Sequence, residues 1–62
     1  MAIDTNSPEY AEAMASIMSA QCFRWRAEAY RRRGRQEDAA EYDELCRKAE
    51  ANAAAYLDFV GR

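Results

Sequence analysis

The sequence contains no histidine, one proline, two glycines and two cysteines, and only five of its residues are Ile, Leu or Val. Without histidine it lacks the commonest general base, the commonest metal ligand and the usual proton shuttle near neutral pH. Two cysteines are too few for a disulfide framework or, with no histidine, for a four-ligand zinc site. No metal, no cofactor and no enzymatic activity are expected. Long hydrophobic runs are missing as well. The longest uncharged stretch, residues 13–23, is 11 residues long and includes Ser16, Ser19 and Gln21, whereas a membrane span needs about 20 mainly apolar residues. The start Met1-Ala2-Ile3-Asp4 has neither the basic opening nor the apolar run of a signal peptide. The expectation is a cytoplasmic chain with no membrane partner and with reduced thiols.

What is present points to helices. The chain has 62 residues, of which 14 are Ala, and 32% are charged. That describes one small domain, residues 1–62, with little room for both a core and a substrate pocket. Residues 1–6 read as a flexible arm. Ser7 is suited to cap a helix, Pro8 suits its first position, and Glu9 and Glu12 place negative charge at the positive end of the helix dipole. Nothing breaks the pattern from residue 8 to about 32. Gly34 marks a turn near 33–36, and a second helix runs from about 36 to 60, opening with Glu37 and Asp38 and stopping at Gly61. No strand pattern occurs. The predicted fold is all-α, a two-helix antiparallel hairpin.

Rotation by 100° per residue separates the faces. In the second helix Ala39, Tyr42, Leu45, Cys46, Ala49, Ala53, Tyr56, Leu57 and Val60 form one stripe. Glu41, Asp43, Glu44, Arg47, Lys48, Glu50 and Asp58 lie opposite, where they read as a solvated face rather than a metal or acid–base site. The first helix has two apolar faces. One is broad, with Tyr10, Met14, Ile17, Met18, Cys22, Trp25 and Ala29; the other carries Ala13, Ala20, Phe23, Ala27 and Tyr30. One partner helix can cover only one of them. The pattern therefore predicts self-association, most simply a two-fold dimer forming a four-helix bundle, with Met14, Ile17, Met18, Phe23, Trp25 and Ala27 as candidate dimer contacts. The alternative leaves Phe23 and Tyr30 simply on the surface. Trp25 reads as an anchor of the core or of the dimer.

Charge is distributed unevenly. Residues 24–35 hold six arginines against Glu28 alone, and residues 36–58 hold seven acids and two bases, although the whole chain is only −2. Arg24, Arg26, Arg31, Arg32, Arg33 and Arg35, with Tyr30 beside them, are the candidate partner-binding residues, because Arg recognises carboxylate and phosphate in a planar, bidentate way. Against that reading, these cations also complement the end of the first helix, and Glu37, Asp38 and Glu41 are near enough in sequence to pair with them. Cys22 and Cys46 are equidistant from Gly34. A hairpin brings them level, as two buried apolar fillers or, if their geometry allows, as a bridged pair.

The run Phe23, Ala27, Tyr30, Gly34 and Ala39 resembles a tetratricopeptide-repeat hairpin over about 24 residues. Arg26, Asp43 and Ala51 depart from that family's pattern, and only one copy is present. The resemblance implies closely packed antiparallel helices and a protein-binding role. In overall shape the chain is similar to the Rop-type helical-hairpin dimers, which bind RNA, although no residue motif carries that likeness. The expected function is that of a small non-enzymatic regulator or adaptor that binds a larger protein, of the kind phages and other mobile elements use as inhibitors. The alternative is a Rop-like RNA- or DNA-binding dimer that uses the arginine cluster.

Overall fold

The computed structural model describes residues 4–61. The chain forms two α-helices, α1 (Pro8–Arg32) and α2 (Gln36–Val60), packed as an antiparallel hairpin. The ends of α1 are set by local chemistry. Ser7 is extended at the N-cap, its Oγ accepts the Tyr10 N–H at 3.1 Å, and Pro8 follows in the first turn. Residues 4–6, expected as part of a flexible arm, enter α1 through a turn in which Asn6 N–H donates to Asp4 Oδ1 (3.0 Å) and Ser7 N–H to the Asp4 carbonyl (3.2 Å). Residues 1–3 of that arm lie outside the described residues.

At the other end the Arg35 N–H reaches back to the Tyr30 carbonyl (2.9 Å) and the Gly34 N–H to the Arg31 carbonyl (3.1 Å), a Schellman closure. Gly34 sits at φ 76°, in the left-handed region. A methyl group added there would meet nothing within 4 Å, so the cost of a side chain is conformational only. Gly34→Ala is expected to destabilise the hairpin by about 1 kcal/mol, lowering its Tm by roughly 4–8 °C in thermal melts. Gly61, by contrast, ends α2 at φ −75° and makes no use of glycine's freedom.

The hairpin answers which face of α1 turns inward. Ala13, Ser16, Ala20 and Ala27 are buried against Ala39, Cys46 and Ala53 of α2, with Phe23, Tyr30, Tyr42, Ala49, Tyr56 and Val60 half-buried in line with them. On both helices these residues recur at alternating three- and four-residue steps, the repeat of a coiled-coil seam. Among the described residues five of the seven buried side chains are alanine and the other two are Ser16 and Cys46, so the helices can approach closely, and aromatic rings close the seam over them. The Ser16 hydroxyl accepts from Asn52 Nδ2 at 2.7 Å.

Several expectations are corrected here. Ala27 (1% exposed) and Phe23 belong to the hairpin interior and not to a face offered to a second chain. The broad face splits: Tyr10, Met14 and Ile17 flank the seam half-buried, whereas Met18, Cys22, Trp25 and Ala29 point away from α2. Leu45, placed in the buried stripe of α2, is 40% exposed. Both thiols are free, and only Cys46 is buried; Cys22 is on the far side of α1, so a bridge between them is excluded by direction.

The molecule is a rod of 46 × 15 × 14 Å with a radius of gyration of 14.0 Å, against about 10.6 Å for a globule of this length. Its surface of 4714 Å² exceeds the roughly 4,100 Å² typical of a folded 7.1-kDa monomer. No described helix is long and apolar enough to cross a membrane.

Candidate interaction surface at the helical elbow

The turn gathers the arginine cluster around a small aromatic stack. Tyr42 of α2 meets Phe23 and Tyr30, the seam positions on either side of the buried Ala27. Its ring stacks on Tyr30 (centroids 5.5 Å, 19° between planes) and tilts against Phe23 (6.0 Å). Arg35 covers the outer face of Tyr30 at 5.0 Å, and Arg26 approaches the Tyr42 ring at 5.8 Å, both within cation–π range.

Acids of α2 take up three of the six arginines. Arg24 Nη2 pairs with Glu50 Oε1 (2.6 Å), Arg31 Nη2 with Asp43 Oδ2 (2.5 Å), and Arg35 Nε with Asp38 Oδ2 (2.6 Å). Asp43 and Glu50, expected on the outward face of α2, instead flank the seam and reach across it. The signal for this was in the sequence: Arg24 and Arg31 are seven residues apart, and so are Asp43 and Glu50, which is one heptad along each facing edge. Glu44 and Arg47 pair within α2, away from the elbow. Arg32 and Arg33 form no ion pair or side-chain hydrogen bond among the described residues. Arg33 lines, with Arg26, Ala29, Tyr30 and Tyr42, a shallow depression of about 280 Å³; Arg32 borders a second, with Glu28 and Arg31. A further hollow of about 330 Å³ lies at the opposite end of the rod, between Glu9, Ala55, Tyr56 and Phe59. Among the described residues no group of three His, Cys, Asp or Glu side chains is placed to hold a metal ion.

Beside the elbow, Glu50 links both helices. Its Oε1 accepts from Arg24 and from the Cys46 thiol (3.2 Å), which also faces the Ala20 carbonyl at 3.3 Å. The thiol hydrogen bond, supported by Arg24, holds the Glu50 carboxyl below the usual carboxylate range. Burial, reinforced by the Glu50 carboxylate, pushes the Cys46 thiol up. The signs oppose each other. The Cys46 contribution is fully present below the ordinary thiol pKa of about 8.5 and is lost as pH rises through the folded value; that of Glu50 is lost as pH falls through its folded value. Urea midpoints should therefore drop above pH ~8.5, and Cys46→Ala should flatten that alkaline limb. Cys22 should react with a thiol reagent at once, and Cys46 only as the hairpin opens.

No family model matches the chain, and no curated protein or solved structure matches it.

Proposed function

We propose that the chain is a small non-enzymatic regulator or adaptor whose elbow docks on an acidic patch of a larger protein, in the manner of an inhibitor made by a mobile element. The observation that carries this reading is the pair Arg32 and Arg33 at the end of α1: both are exposed and free of ion pairs among the described residues, and Arg33 lines an aromatic-floored depression. Arg24, Arg31 and Arg35 are held by acids of α2, so the surroundings of Arg32 and Arg33 have little conformational freedom left to lose on binding. Arg and Tyr are also residue types enriched at binding hot spots. The reading includes a cytoplasmic location, where both free cysteines stay reduced.

The second reading, a nucleic-acid-binding dimer, draws on the same guanidinium groups. It is disfavoured by the α2 acids that already neutralise Arg24, Arg31 and Arg35 and line the approach to them, and by the net charge of −2, since nucleic-acid-binding domains are usually basic as a whole. The test is affinity capture followed by reconstitution with the purified partner. The Arg32→Glu/Arg33→Glu variant is expected to weaken that complex ~30-fold or more while leaving helicity unchanged. Failure to capture any partner, together with an RNA gel shift whose affinity falls steeply with salt, would replace this reading with the second.

A further inference from the structure

The face of α1 turned away from α2 carries Ala11, Ala15, Met18, Cys22, Trp25 and Ala29, and every one of them is exposed. Met18 and Trp25 keep 67% and 66% of their surface in solvent. The steps along this face are four, three, four, three and four residues. That is a second coiled-coil repeat, on the side of the helix opposite to the one that packs on α2.

We propose that this face is a self-association seam on which a second copy of the chain lays its own α1 in antiparallel orientation, in the register that sets Trp25 over Ala15 of the second copy. Two features of this face select that occupant. The first is the alternation of sizes. In an antiparallel pair centred near Ala20 the two-fold axis places Trp25 against Ala15, Met18 against Cys22 and Ala29 against Ala11, each layer occurring twice. Trp25 meets Ala15 and Met18 meets Cys22, large against small, and only the two end layers pair alanine with alanine. A parallel pair would stack Trp25 on Trp25 and leave the alanine layers hollow.

The second is charge. Before residue 24, α1 contains Glu9 and Glu12 and no base; from residue 24 onward it contains Arg24, Arg26, Arg31 and Arg32 against Glu28. Antiparallel docking lays the acidic end of each helix along the basic end of the other, whereas parallel docking sets arginine beside arginine. On the edge of the seam this register puts Glu12 next to Arg26 of the second copy, twice. Glu12 makes no ion pair among the described residues, and Arg26 is held only by its distant approach to the Tyr42 ring. Because the seam lies opposite α2, the dimer is a row, α2–α1–α1–α2, and not a bundle around a common core.

The seam shares Arg26 and Ala29 with the rim of the elbow depression but does not use Arg32 or Arg33, so the Arg32→Glu/Arg33→Glu variant tests the elbow and Trp25→Ala tests the seam. Sedimentation equilibrium of the full chain from low-micromolar to near-millimolar concentration should show a reversible monomer–dimer equilibrium. The emission of Trp25, the only tryptophan, should shift to the blue as the dimer forms. Trp25 is 66% exposed, and Trp25→Ala should raise the dissociation constant about 30-fold or more with unchanged helicity. Glu12→Arg and Arg26→Glu should each raise it roughly fivefold or more, because each spoils two symmetry-related pairs, and the double swap should restore most of the loss. A monomer at every concentration, a dimer indifferent to Trp25→Ala, or a double swap as weak as the single variants would each overturn the proposal.

Discussion

Replacing Tyr42 by Ala is expected to unfold most of the molecule. The side chain is only half-buried, yet it touches both aromatic neighbours of the seam, Phe23 and Tyr30, and lies beneath Arg26. Truncating a packed aromatic costs about 3–5 kcal/mol in a full core; with partial exposure about 2–4 kcal/mol is the appropriate range here, part of it from lost ring–ring contact. A domain of this size seldom holds more than ~3–5 kcal/mol in total. Among the described residues no large side chain is fully buried, so little reserve lies elsewhere. Urea titration followed by far-UV circular dichroism is the measurement, and an unchanged midpoint would show that the ring is a surface ornament. Tyr42→Phe should be nearly neutral, since the stack is made by ring contacts alone.

Ala27→Leu should destabilise the fold although it makes the sequence more hydrophobic. Ala27 is 1% exposed and lies where Tyr42 crosses the seam. The added carbon atoms must push the helices apart or displace that ring, for a cost of about 1–3 kcal/mol. Ala29→Leu is the control: two residues away on the same helix, with nearly the same intrinsic propensity cost, but on the outward face. Its hairpin stability should change by less than ~0.5 kcal/mol. Equal effects of the two substitutions would mean that α1 is rotated relative to the orientation described.

The pair of substitutions also shows where a reading of the sequence stops. Ala27 and Ala29 are indistinguishable by composition, and the larger apolar residues Trp25 and Met18 argue for burying the face of Ala29. The structure buries the face of Ala27. A two-helix hairpin gains most where its backbones come closest, and a stripe of alanines at coiled-coil spacing permits that approach. Tryptophan on the same stripe would hold the helices apart. The spacing is legible in both helices, but on α1 two stripes carry it, and sequence alone does not choose between them. The arginine cluster was equally visible, yet its division into paired and unpaired members was not. Arg35 meets Asp38 three residues on, a pairing that local spacing allows, but whether Arg24 and Arg31 reach Glu50 and Asp43 depends on how far each helix is turned about its axis.

Local chemistry settled the helices and their ends, because Ser7, Pro8 and Gly34 act through backbone groups only a few residues away. The all-α hairpin follows from those three residues and an unbroken helical pattern on either side. Tertiary packing alone decided which face of α1 meets α2, that Cys46 is enclosed while Cys22 is not, and that Arg32 and Arg33 remain unpaired. Each of these depends on contacts between residues 12 or more positions apart, and one rotation of α1 would change them all.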